Sequence, residues 1–187
     1  MALVERSAKI VLRSVPYFAW RYGDRGRSFG RSDAGYLVTP STAAAAVARQ
    51  QVAWLARVLA ARGMPRVLLE SQLESLGRLA RRQGRAGAER LLGLAAELRG
   101  ARLGAIAATV WSECERLCRD GVRGDRRPRW AGVFIAASVT DRVNAVSEHD
   151  DTLVAWFQAA DPGDATWQRA CAPAYAFSRA STERGTA

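Results

Sequence analysis

Apolar residues recur along most of this chain at alternating steps of three and four, the spacing that places them on one face of a helix. The pattern is clearest from Pro65 to Gln83, where Leu69, Leu73, Leu76 and Ala80 form a stripe and Gly84 with Gly87 closes the segment. Val52, Leu55, Val58 and Leu59 mark an earlier helix that starts at Pro40, Ser41 and Thr42 and runs to Arg62, where Gly63 stops it. The short Gly63-Met64-Pro65 link predicts that these two helices are antiparallel neighbours. A first helix spans about Leu3 to Tyr22, with Pro16 forcing a kink or a restart. Residues 88–120 predict one long helix, or two broken near Gly100 and Gly104, with Leu103, Ile106, Val110, Cys114 and Leu117 on one side. Later helices are expected over about Arg129 to Val146, Asp150 to Ala160, and from Asp164. Val133 to Ile135 is β-branched and aromatic, yet it lies inside a longer helical pattern, so helix is the expectation there too. These elements predict an all-α fold, a single domain over residues 1–187 built as a bundle of about six to eight helices. Residues 120–129, with Gly121, Gly124 and Pro128, read as a charged hinge, and residues 180–187 as a disordered tail.

One stretch departs from the pattern. Trp20 to Tyr36 packs four glycines, four arginines and four aromatic residues into seventeen positions, and neither a regular helix nor a generic loop accounts for that mixture. Permissive backbone, fixed positive charge and stacking surface together suit the capture of an anion, so Gly23 to Gly35 is expected to be a polar recognition loop. Arg25, Arg27 and Arg31 would bind phosphate or carboxylate, and Trp20 with Arg21 would stack at its mouth. The structural alternative is that these arginines bond the C-terminal carbonyls of neighbouring helices.

Composition places the chain among ordinary globular proteins, with 49% hydrophobic and 25% charged residues over 187 positions. The formal net charge is +10, and it is uneven: residues 1–140 carry 24 basic against 11 acidic groups, and residues 141–187 carry 4 against 7. A basic body with an acidic end attracts acidic protein or nucleic acid, and it also suits self-association as a homo-oligomer. However, 27 of the 28 basic residues are arginine, a skew that a GC-rich genome produces without selection for binding. Many arginines also have carboxylates at helical spacing, such as Arg66 with Glu70 and Arg78 with Glu74, which predicts solvated helix faces.

Catalytic signatures are sparse. His149 is the only histidine, and Ser147-Glu148-His149-Asp150-Asp151 reads as a helix cap with acidic charge at the positive helix end. Glu113 and Glu115, two apart, point to different sides of a helix, and no P-loop or G-x-G-x-x-G fingerprint is present. Cys114, Cys118 and Cys171 have no C-x-x-C spacing and are expected to be free thiols in a reducing, cytoplasmic setting, with no signal peptide or membrane span. In number and length the helices resemble the layout of globins and related sensor domains. A haem-free relative is what that layout implies, since residues 60–120 contain no histidine to hold the iron. Three functions follow, in order of preference. The first is a non-catalytic regulatory or adaptor module that binds an acidic partner through its basic N-terminal portion. The second is a small-molecule or cofactor sensor with a pocket near Trp54, Trp111, Trp130, Cys114 and Cys118. The third is an enzyme using arginine electrostatics. No metal site is expected, and no particular cofactor is implied.

Overall fold

A computed structural model describes residues 2–15, 21–120, 127–146, 153, 155 and 172–181. Every regular element among them is a helix, so the fold is all-α as the periodicity predicts. In chain order these are α1 (Ala2–Ser14), α2 (Asp24–Tyr36), α3 (Thr39–Thr42), α4 (Ala45–Ala61), α5 (Arg66–Arg82), α6 (Ala88–Ala105), α7 (Ala108–Asp120), α8 (Arg127–Val143) and α9 (172–181). The chain condenses into two compact units: unit 1 holds Met1–Ala56 with Val67–Arg99, and unit 2 holds Arg57–Arg66 with Gly100–Ala187.

In unit 1, α1 packs against α2. The buried positions of α1 are Leu3, Ser7, Ala8 and Val11, and those of α2 are Gly26, Gly30 and Ala34, a stripe of small residues at steps of four. This stripe corrects the expected recognition loop: Asp24 to Tyr36 is helical. Each helix-interior glycine costs roughly 1 kcal/mol relative to alanine. Packing of the stripe offsets that cost, with Gly30 facing Leu12. The arginines point outward, where Arg27 pairs with Asp24 at 2.9 Å and Arg31 with Glu5 at 3.7 Å.

The helix stops read from glycine hold. α4 ends in a reciprocal pair of backbone bonds, Met64 N–H to Leu59 carbonyl and Gly63 N–H to Ala60 carbonyl, with Gly63 at φ +72°. The same geometry ends α5, where Arg85 N–H reaches Ala80, Gly84 N–H reaches Arg81, and Gly84 has φ +62°. α8 repeats it with Ala145 at φ 51°, a left-handed position filled by a residue with a side chain. Two boundaries differ from expectation. The helix expected from Pro40 is split by extended backbone at Ala43 into α3 and α4, and the break in residues 88–120 falls at Ile106–Ala107, just beyond Gly104. The expected hinge narrows as well, because Asp120 belongs to α7 and Arg127 to Arg129 belong to α8; residues 121–126 lie outside the described residues. Of the tail expected at 180–187, residues 180 and 181 belong to α9, and the remainder lies outside the described residues.

Unit 2 is organised around α8, which is buried at Gly132 and from Phe134 to Asp141, with Val133 half-buried. That burial explains the strand-like Val-Phe-Ile run: a helix enclosed on all sides carries apolar residues on all sides. α7 crosses α8 at Gly132, where an added Cβ would lie 2.6 Å from the Cys114 carbonyl oxygen and 2.8 Å from Glu115 Cα. The same unit encloses an ion pair. Arg66 donates from its backbone N–H to Asp141 Oδ2 at 2.7 Å and from Nε to Oδ1 at 2.5 Å, with both side chains buried. Asp141 thereby caps the first turn of α5 from 75 residues away. Burial pushes its carboxyl up from the ordinary value, against the opposing pull of Arg66. The expected surface pair of Arg66 with Glu70 is therefore replaced, and Glu70 accepts from Arg99 Nε at 2.8 Å instead. Glu74 pairs with Arg78 as expected and with Arg99 as well, which ties α6 to α5.

Candidate functional site

The turn between α5 and α6 builds a concavity on the surface of unit 1. Arg85 and Ala86 follow the Gly84 stop, and the chain then turns at Gly87, φ +81°, into α6. Gly87 lies so close to α3 that an added Cβ would sit 2.3 Å from the Ser41 carbonyl oxygen, so only glycine allows the turn to meet α3 there. Between them opens a cleft of about 690 Å³ lined by Ser41, Thr42 and every residue from Gly84 to Arg90, with Arg81 at its edge. The first-turn residues of α6, whose N–H groups have no intrahelical acceptor, belong to this lining.

Two smaller hollows adjoin the cleft through shared residues. One, of about 250 Å³, shares Ser41, Thr42, Arg85 and Ala86 with it and is otherwise apolar, with Leu3, Val38, Ala80 and Leu91 in its wall. The other, of about 210 Å³, shares Arg90 and continues along α6 past Gly93 and Leu94 to Glu97, with Ala45 and Arg49 opposite. The three hollows, together called the groove, are linked in series by shared lining residues: an apolar pocket, a basic cleft and a hollow at the Arg49–Glu97 ion pair.

Charge in the groove is unevenly spoken for. Arg81 holds Glu89 through two hydrogen bonds, 2.8 Å from Nε and 2.7 Å from Nη2. These bonds raise the pKa of Arg81 and lower that of Glu89. Arg49 grips Glu97 in the same forked manner at 2.8 to 3.1 Å, and that hydrogen bonding lowers the Glu97 pKa. Arg85 and Arg90 have no carboxylate partner among the described residues. Ser41 Oγ donates to the Val38 carbonyl at 2.6 Å, and no histidine lines the cleft, so the arrangement is suited to binding an anion rather than to relaying protons.

The residues singled out from sequence are distributed differently. Trp20 lies outside the described residues. The Arg21 guanidinium stacks over the Tyr22 ring at 5.4 Å, and Tyr22 meets Phe29 edge to face at 5.3 Å. Arg25 is exposed, while Arg27 and Arg31 are engaged by the carboxylates named above. Trp54 is 48% exposed in unit 1, tilted against Tyr36 at 5.6 Å, and lines none of the three hollows. Trp111, Cys114 and Cys118 are buried in unit 2, with the Arg102 guanidinium 4.9 Å from the Trp111 ring. Burial, helped by neighbouring Cys118, Glu113 and Glu115, pushes the Cys114 thiol up to about 12, which marks a packed and unreactive sulfur. The side chain of Trp130, and His149 and Cys171 entirely, lie outside the described residues. No group of three or more metal-ligating side chains occurs among the described residues, and no described helix is long and apolar enough to cross a membrane. What sequence reasoning passed over is Arg81-Arg82-Gln83-Gly84-Arg85-Ala86-Gly87, where the glycines served only as helix stops although arginine is as dense there as in Trp20 to Tyr36. Compared with protein-family models, with curated proteins and with solved structures, the chain matches none.

Proposed function

We propose that this protein is a non-catalytic binding module that takes an acidic partner in the groove of unit 1. The observation that carries this is charge accounting. Unit 1 holds fourteen basic against seven acidic residues. Glu5, Asp24, Glu70, Glu74, Glu89 and Glu97 are each engaged by an arginine, while Arg85 and Arg90 line the cleft with no carboxylate partner among the described residues. Two unneutralised guanidinium groups beside first-turn amide groups favour carboxylate or phosphate over neutral ligands. Acidic protein is favoured over nucleic acid because the cleft lining contains no aromatic side chain on which a base could stack. A small-molecule role would draw on the same groove, whose volume lies in the range of ligand pockets.

The test is binding of fluorescein-labelled poly-L-glutamate, followed by anisotropy, to the wild type and to two sets of variants. The expected result is that Arg85→Ala with Arg90→Ala weakens binding by about fivefold or more, as two exposed charge contacts imply. Binding should also fall as sodium chloride rises from about 0.05 to about 0.5 M. Replacing Arg25, Arg27 and Arg31 by Ala examines the surface of α2, and a larger loss there than at Arg85 and Arg90 would place the partner on α2 instead. Tighter binding of a DNA or RNA oligonucleotide than of polyglutamate would overturn the choice of partner.

A further inference from the structure

We propose that the groove recognises an extended acidic peptide segment that carries one apolar side chain beside its carboxylates; this rests on the acidic-partner reading and narrows it. Charge alone would not call for an apolar compartment. Yet the pocket walled by Leu3, Val38, Ala80 and Leu91 lies beside the basic cleft, since Arg85 and Ala86 belong to the lining of both. A ligand group that enters this pocket leaves its neighbouring carboxylate at Arg85. Ser41 and Thr42 also line both spaces, and their hydroxyl groups are turned to backbone carbonyls of Val38 and Thr39. The pocket therefore offers little to a polar substituent, and an aliphatic one is selected.

An extended ligand is favoured over a compact one by the third hollow. It shares Arg90 with the cleft and continues along α6 to Glu97, so the lining of the two follows that helix over nine residue steps, from Ala88 to Glu97. At a rise of about 1.5 Å per helical residue this is roughly 13 Å, the length of about four residues of extended chain. A short aliphatic acid fills the pocket and reaches Arg85 but leaves Arg90 unused. A peptide of pattern apolar-acidic-acidic spans both arginines.

The experiment uses the full chain and three probes, measured by isothermal titration: acetyl-Leu-Glu-Asp-Glu-amide, acetyl-Ala-Glu-Asp-Glu-amide and hexanoate. The leucine peptide should bind about tenfold more tightly than the alanine peptide, the order of gain expected for burying a leucine side chain. Val38→Phe, a change at a half-buried position that lines the apolar pocket and not the basic cleft, should bring the leucine peptide down to about the alanine peptide's affinity. Arg85→Ala with Arg90→Ala should weaken both peptides alike. Equal affinity of the two peptides, both lost with the arginines, overturns the apolar anchor but leaves the acidic-partner reading standing. Indifference of both peptides to the arginines removes that reading as well, and hexanoate binding as tightly as the leucine peptide replaces the peptide with a small acid.

Discussion

Two glycines three residues apart in the α5–α6 turn separate backbone strain from steric collision. Gly84 and Gly87 both have positive φ, +62° and +81°, but a Cβ at Gly84 meets nothing within 4 Å, whereas one at Gly87 meets the Ser41 carbonyl oxygen at 2.3 Å and its carbon at 2.8 Å. Gly84→Ala carries only the left-handed cost of about 1–2 kcal/mol, partly offset by about 0.4–1 kcal/mol from a stiffer unfolded chain. Gly87→Ala carries the same balance plus an overpacking cost of about 1–3 kcal/mol, since the atoms it strikes are backbone and cannot rotate away. At roughly 2–4 °C per kcal/mol for a chain of this size, the first variant should melt about 0–6 °C below wild type and the second about 2–18 °C below. Circular dichroism at 222 nm during a thermal ramp measures both. Equal melting temperatures, within about 2 °C, would refute the close approach of the turn to α3 and with it the shape of the cleft.

Three further outcomes follow from unit 2. Asp141→Ala removes the counter-charge of buried Arg66 and the acceptor of its backbone N–H, and should cost about 3–5 kcal/mol in chemical denaturation; Arg66→Met with Asp141→Leu should recover most of the loss. If the double variant is no more stable than Asp141→Ala, the penalty does not arise from an unpaired charge. Ala145→Gly relieves the left-handed alanine that ends α8 and should raise stability by about 1 kcal/mol, whereas a drop in melting temperature would refute the strain. Cys114 should resist iodoacetamide at about pH 8 in the native state and react once unfolded. Because its folded pKa is raised to about 12, its contribution to stability is complete below the ordinary thiol range and is lost as pH rises through 12. Rapid native alkylation of Cys114, read by peptide mass spectrometry, would contradict its burial.

How much of this was legible in the chain depends on the length scale of each signal. Periodicity and glycine stops are local, and they located α5 within one residue and anticipated the ends of α4 and α5 at Gly63 and Gly84. The buried stripe Gly26, Gly30 and Ala34 was also local, but the surrounding arginines and aromatics hid its four-residue spacing. Arg66 offers the opposite case. Its helical neighbour Glu70 suggested a surface pair, and nothing within ten residues points to Asp141, whose pairing exists only after folding. The groove is likewise a product of assembly, because Leu3, Val38, Ala80 and Leu91 come from distant segments and each looks like an ordinary core residue in its own segment.

The central claim is that an acidic partner occupies the groove of unit 1 and not the arginine surface of α2. It is tested most directly by titrating uniformly nitrogen-15-labelled protein with poly-L-glutamate and mapping the amide shift changes. The account predicts the largest changes at Ser41, Thr42 and the stretch from Gly84 to Glu97, with Arg90 among the first to move. Changes concentrated between Asp24 and Tyr36, with the α5–α6 turn silent, would contradict it.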